Sequence, residues 1–220
     1  MIWDGVTPPF VKDSTLFLPS CFYAFTGEAL DEKIPLLRAT DALNKQVLRV
    51  LRFLGDDRTQ YVYTSVGCEQ EFFLLNRDLF MKRPDLVLTG RTLLGTSPVK
   101  GQQMEDHYFA TVTYRVHEFF DDLKRRCWSM GVPIENAHHE VAPGQFEVSP
   151  IFQRSSVALD TNMLLLTLIT ETARDHNMAA LFHEKPYAGV NGSGKHNNWS
   201  IDTSEGVNLF KPGKTPDEHV

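Results

Sequence analysis

Residues 138 to 147 read His138-His139-Glu140-Val141-Ala142-Pro143-Gly144-Gln145-Phe146-Glu147. Pro143-Gly144 is a turn dipeptide between two strand-like flanks, so the stretch predicts an antiparallel strand pair over about Ile134 to Val148. If those two residues make a tight turn, Ala142 faces Gln145, Val141 faces Phe146 and Glu140 faces Glu147. Like charges directly opposite each other destabilise a ladder, because opposed Cβ atoms lie only about 5 Å apart. Something cationic is therefore expected between the two glutamates. Pro-Gly also favours a type II turn, a poor match to a tight hairpin, and a wider loop with less direct pairing is the alternative. A plainer reading competes with both: two surface glutamates, with Val141, Phe146 and Val148 packing inward.

Working outward, Cys68-Glu69-Gln70-Glu71-Phe72 lies in a stretch rich in β-branched and aromatic residues, and a strand is expected from about Val66 to Leu75. Glu69 and Glu71 then share one sheet face while Gln70 and Phe72 share the other. A solvated strand face would explain an isolated Glu-x-Glu, but Phe72, Phe73, Leu74 and Leu75 make this strand read as buried on at least one side. Downstream, Asn191-Gly192-Ser193-Gly194-Lys195-His196-Asn197-Asn198-Trp199-Ser200 has two glycines that permit close backbone approach. The strand after them would place His196, Asn198 and Ser200 on one polar face. Gly-Ser-Gly-Lys is not a phosphate-binding P-loop, because the spacing is wrong and a strand follows instead of a helix.

The rest of the chain frames these motifs. Apolar spacing predicts a helix from Asp31 to about Leu54, broken near Pro35 and recapped at Asp41, and another from Thr113 to Met130 with Phe119, Phe120, Leu123 and Cys127 on one face. A long helix is expected from about Val157 to His176, with short strands near Ala180 to Phe182 and Lys195 to Ile201. Residues 1 to 20 read as irregular, and Phe80 to Glu105 as a long loop of the kind kept for function, a lid or binding loop. Strands and helices do not alternate steadily, so the expected class is α+β: an antiparallel-rich curved sheet flanked by helices.

Composition narrows the chemistry. The chain has 220 residues, 22 basic against 28 acidic and a net charge of −6, which gives no basic footprint for nucleic acid. The three cysteines, Cys21, Cys68 and Cys127, form no Cys-x-x-Cys pair and fit a reducing compartment as small apolar groups. No apolar run approaches the roughly 20 residues that span a bilayer, and no export signal is visible, so a cytoplasmic protein without membrane contact is expected. Glu69, Glu71, Glu140, Glu147 and His196 together are oxygen-rich, which favours Mg²⁺ or Mn²⁺ over zinc. Five such groups exceed what one Mg²⁺ takes from protein, so two or more ions are implied. The other histidines, His138 among them, read as structural or supporting.

These motifs closely resemble the catalytic domain of glutamine synthetase. The wording is most similar to the long-chain type III branch, through Gly90-Arg91-Thr92-Leu93-Leu94-Gly95, Glu105-Asp106-His107-Tyr108-Phe109 and His183-Glu184-Lys185-Pro186-Tyr187-Ala188-Gly189-Val190. The resemblance runs from Trp3 to Pro216. It implies a fold of the glutamine synthetase/guanido kinase kind. It also implies ligation of ammonia to L-glutamate with ATP through γ-glutamyl phosphate. Glu71, Glu140 and Glu147 would hold the metal facing glutamate and the ammonia site, and Glu69 and His196 the metal on the transferring phosphate. Asn191 and Gly192 would contact the amino acid substrate, and Asn198 and Ser200 the nucleotide, although Asn198 stands where other branches often carry a histidine. The family forms homo-oligomeric rings.

The resemblance further implies that residues 1–220 are a partial catalytic domain, lacking the small N-terminal β domain and the later arginines and last glutamate, with little activity alone. Two alternatives stand beside the leading one: a γ-glutamyl-amine ligase, and a non-catalytic relative that keeps a partial metal site.

Overall fold

The computed structural model describes residues 1–215; the end of the resemblance at Pro216 lies outside them. In chain order the elements are β1 (Ile2–Trp3), β2 (Phe10–Lys12), β3 (Thr15–Phe17), β4 (Ser20–Cys21), α1 (Lys33–Phe53), β5 (Val62–Asn76), α2 (Arg77–Phe80) and α3 (Pro84–Thr89). A single 3₁₀ turn (Gln103–Glu105) precedes α4 (Tyr114–Ser129), β6 (Ile134–His139), β7 (Gln145–Pro150), β8 (Gln153–Arg154), α5 (Ser155–Asp175), β9 (Met178–Leu181) and β10 (Lys195–Thr203). Backbone packing divides the chain into two compact units. One comprises Met1–Val66, Phe152–Asp160 and Asn198 onward; the other comprises Gly67–Ile151 and Thr161–Asn197.

The second unit carries the core of interest. Within it β5 pairs antiparallel with β7 and with β9, and β6 pairs antiparallel with β7. The period of two separates the sheet's faces cleanly. Phe72, Phe146 and Val148 turn to the face where α4 and α5 lie, and they join Phe119, Phe120, Leu123, Cys127, Leu165, Leu168 and Ile169 in one buried cluster. Phe72 meets Phe119 edge-on, with ring centroids 6.2 Å apart, and Phe120 meets Phe146 likewise at 5.7 Å. The α4 face expected from sequence is the buried one. A smaller cluster on the opposite side of the sheet joins Phe73, Leu86, Ala142, Leu181 and Val190. The expected mixture of helices with an antiparallel sheet is what forms.

In the first unit, α1 is one continuous helix and not two. Pro35 falls in the first turn, where a backbone N–H has no partner inside the helix, so its missing donor breaks nothing. Asp41 is not a cap but an i,i+4 partner of Lys45 at 2.7 Å, and Asp31 Oδ1 accepts the Ile34 N–H at the helix start. Residues 1 to 20 are not simply irregular. They form two short antiparallel pairs, β1 with β4 and β2 with β3. Asp13 and Ser14 at φ 48° and 63° make the two-residue turn between β2 and β3, a conformation usually signalled by glycine. The expected loop from Phe80 to Glu105 holds α3, which Pro84 opens and Gly90 closes at φ 71°. There the two residues act as helix start and stop instead of as breakers. Among the described residues no helix is long and apolar enough to cross a membrane.

Leu123 is fully buried at the centre of the main cluster. Leu123→Ala is expected to cost about 3 kcal/mol in urea unfolding, transfer and cavity terms together; a loss below about 1 kcal/mol would show that α4 does not form the core contact described.

Candidate metal centre

The opposite face of the second unit's sheet is where the polar motifs converge. β7 supplies Gln145 and Glu147, β5 supplies Glu69 and Glu71, and β6 with its following turn supplies His138 and Glu140. The register makes a row across three strands: Glu71 opposes Glu147 on one side, and His138 opposes Glu147 on the other. The tight-turn expectation, with Glu140 facing Glu147, does not hold. His139 pairs with Phe146, and the Glu140 N–H donates to the Gln145 carbonyl at 2.9 Å. The reason is turn chemistry. The Gln145 N–H closes onto the Ala142 carbonyl at 3.1 Å, with Gly144 at φ 73°. With proline fixed at negative φ before it, this is a type II turn, which splays strands and widens the hairpin. Glu140 is thereby moved beside Gln145, on the same face as Glu147 and two pairs further toward the turn.

Charge on this face is dense and partly shielded from water. The lining of a cleft of about 790 Å³ includes Glu69, Glu71, Glu140, Glu147, His138 and His196, with Tyr108 beside them. His138 Nε2 lies 3.1 Å from Glu140 Oε1 and 3.8 Å from Glu147 Oε1. The Asn136 side-chain amide lies 3.3 Å from Nδ1 on the other side of the ring. Ligand atoms of His138, Glu140 and Glu147 all fall within 4.8 Å of one another. His196 Nδ1 sits 3.1 Å from Glu69 Oε2. Burial first, then the Glu71 charge, holds the Glu140 carboxyl above the usual glutamate range. Glu147, 5% exposed, is pushed up mainly by burial, with Glu69 and Glu140 adding to it against the opposing pull of Ser149 and His138.

Gln145 was missed in the sequence and proves central. It is 1% exposed. Its Nε2 donates to Glu71 Oε2 at 2.9 Å and to the Gly192 carbonyl at 2.7 Å, while its Oε1 accepts the Ala142 N–H at 3.0 Å. Glu71 Oε2 also accepts the Gly194 N–H at 2.7 Å, and the Glu71 N–H donates to the Gly194 carbonyl at 3.1 Å. One oxygen of Glu71 is therefore held by two donors. Gly192 must be glycine: a Cβ there would meet the Glu184 carbonyl oxygen at 1.8 Å. His138 was likewise read as merely supporting, yet it is the imidazole nearest Glu140 and Glu147. The only hint in the sequence was its alternation with Glu140.

The structure thus gathers Glu69, Glu71, Glu140, Glu147 and His196 in one unit, with Asn191 and Gly192 tied to the same unit by hydrogen bonds. Asn198 and Ser200 follow on β10 but belong to the other unit, where Ser200 Oγ donates to Asn208 Oδ1 at 2.5 Å.

A family model described as the catalytic domain of glutamine synthetase matches residues 47–218, and one described as the type III glutamine synthetase N terminal matches residues 1–39. The chain belongs to the glutamine synthetase family. A glutamine synthetase of Bacteroides fragilis is 51% identical over 214 residues, covering 97% of this chain and 29% of that protein. A type-3 glutamine synthetase of Dictyostelium discoideum is 45% identical over 223 residues, covering 100% of this chain and 30% of that protein. The chain therefore spans less than a third of the length of these relatives. The fold is shared with a solved GmaS/ADP complex, with a TM-score of 0.66 at 22% identity over 94% of this chain and 44% of that one. It is also shared with Plasmodium falciparum glutamine synthetase, with a TM-score of 0.63 at 20% identity over 93% and 41%. The expected likeness to the type III branch is borne out.

Gln145→Leu keeps the volume but strands the Ala142 N–H and the Gly192 carbonyl and removes one of the two donors to Glu71 Oε2. It is expected to cost about 3 kcal/mol in urea unfolding; a change under about 1 kcal/mol would mean that the three bonds do not hold the site.

Proposed function

We propose that this chain carries the carboxylate metal centre of an ATP-dependent ligase that joins ammonia to L-glutamate through γ-glutamyl phosphate. The observation that supports it is the row Glu71, Glu147 and His138 across three strands, with Glu140 beside it. The donor set fits hard divalent cations. It is oxygen-rich, Glu140 and Glu147 are held above their ordinary range by burial and like charge, and a cation among them relieves both costs. Glu71, Glu140 and Glu147 would hold one Mg²⁺ or Mn²⁺, with His138 as neighbour, and Glu69 and His196 a second. Bound there, the ions would offset charge on a phosphoryl group in transfer and polarise the acceptor carboxylate.

The chain's own residues do the rest. Gln145 and the Gly194 N–H fix one oxygen of Glu71, which leaves the other to face the cleft. Asn191 and Gly192 are assigned to the loop that contacts the amino acid substrate, and Asn198 and Ser200 to the nucleotide. The catalytic contribution of such a site is positioning and electrostatic, not covalent. In this reading residues 47–218 form part of a catalytic domain, the assembled enzyme is a homo-oligomer, and its setting is cytoplasmic.

Glu147→Gln separates function from stability. Because burial raises the Glu147 pKa in the fold, ionising it opposes folding as pH climbs above the ordinary glutamate value of 4.5. At pH 7 the amide is therefore expected to raise the melting midpoint of the metal-free chain while weakening Mn²⁺ binding, read by calorimetry, at least about tenfold. Unchanged Mn²⁺ affinity would sink the assignment.

The same raised carboxyls make protons compete with the cation. Mn²⁺ affinity of the parent chain is expected to fall as pH drops from 7 toward 5, and binding near the lower end should release protons. Buffers of different ionisation enthalpy read that release directly, and an affinity flat over this range would contradict the carboxylate site.

A further inference from the structure

The stretch between α3 and the 3₁₀ turn, residues 90 to 102, has no regular structure, yet it is pinned at both ends to the segment that precedes β10. Near its start, the Thr92 N–H and Thr92 Oγ1 both donate to the Pro186 carbonyl, at 2.9 and 3.0 Å. At its end, the side-chain amide of Gln102 grips Asn191 twice. Its Oε1 accepts the Asn191 backbone N–H, and its Nε2 donates to Asn191 Oδ1 at 3.1 Å. A primary amide meeting one residue through both a donor and an acceptor fixes that residue's position and its side-chain direction together.

What lies beyond Asn191 gives the grip a consequence. The next residue, Gly192, packs so closely on the Glu184 carbonyl that no Cβ fits between them, and its own carbonyl accepts from Gln145 Nε2. Gln145 also donates to Glu71 Oε2, and the Gly194 N–H completes the hold on that oxygen. Hydrogen bonds, linked through the Asn191–Gly192 peptide bond, thus connect a partly exposed side chain in an irregular segment to a carboxylate of the cleft: Gln102, Asn191, Gly192, Gln145, Glu71. The segment's own tether nearby, Lys100 to Asp106 at 2.7 Å, is solvent-exposed and touches none of these groups.

We propose that Gln102 is a positioning residue, which holds the Asn191–Gly192 segment and through it sets the orientation of Glu71 for cation binding. The strap from 90 to 102 is in this view part of the metal centre's scaffold, although none of its side chains reaches a carboxylate of the cleft. The inference rests on the reading of Glu71 as a cation ligand given above, and the test keeps the two apart.

The test compares the parent chain with Gln102→Leu, which keeps bulk but removes both hydrogen bonds, and with Lys100→Ala as the control in the same strap. The first readout needs no ligand: amide hydrogen exchange at Gly194 and Ala142, the two N–H groups that donate into the Glu71–Gln145 pair. Gln102→Leu is expected to speed exchange at both by about fivefold or more while leaving the Thr92 amide as in the parent, which shows the strap still seated. The second readout is Mn²⁺ affinity by calorimetry, expected to weaken about three- to tenfold in Gln102→Leu and to stay unchanged in Lys100→Ala. A merely local packing role would alter exchange at Asn191 but leave Gly194, Ala142 and Mn²⁺ affinity alone, and that pattern overturns the proposal. If the parent itself binds no Mn²⁺, the metal reading fails on its own account, and exchange at Gly194 and Ala142 still decides whether Gln102 positions Glu71.

Discussion

The polar face of the second unit's sheet is organised around one unfavourable juxtaposition: Glu71 and Glu147 stand directly opposite each other across the β5–β7 ladder. Opposed like charges weaken a strand pair, and burial of Glu147 sharpens the cost, because water cannot screen it. The sheet tolerates this because its other face is strongly apolar. Phe72, Phe146 and Val148, the alternate residues of the same two strands, anchor the pair against α4 and α5. Stability gained on one face is offset by charge held on the other. That is the pattern expected where a strained arrangement serves a site.

Local polar groups organise the repulsion and do not cancel it. The Gln145 amide and the Gly194 N–H hold Glu71, Ser149 Oγ donates to Glu147 Oε1 at 2.9 Å, and the His138 ring stands between Glu140 and Glu147. Among the described residues no lysine or arginine pairs with Glu140 or Glu147. Asp122, at the far side of the core, is a contrast: burial would raise its pKa, but Arg126 at 2.9 Å and His176 at 3.1 Å bring it below the usual range. An arginine is thus available to neutralise a buried carboxylate at Asp122, and among the described residues none is placed at Glu140 or Glu147.

Much of this was legible in the sequence. The period-two alternation of Glu69 and Glu71 against Gln70 and Phe72, and the apolar stripe of α4, place the carboxylates on one face and the helices on the other. The pairing of Glu140 was not legible. Pro143-Gly144 announces a turn, but whether that turn closes a tight or a wide hairpin depends on backbone twist that composition does not carry. Gln145 was invisible for a different reason: a glutamine beside a turn reads as surface, and only the return of the 191–194 segment over β5 buries it. Pro35, Pro84 and Gly90 misled because the same residues punctuate helices at their ends as well as break them in the middle. The β2–β3 turn at Asp13-Ser14 lacked the glycine that usually marks it.

In the proposed function, the polar face of this sheet holds divalent cations. Anomalous diffraction from crystals of the chain soaked in Mn²⁺ tests it most directly. A difference peak bounded by Glu71, Glu140 and Glu147, with a second beside Glu69 and His196, is the predicted result. Full soaks that leave this face without a peak, or place manganese only on unrelated surface carboxylates, would contradict it.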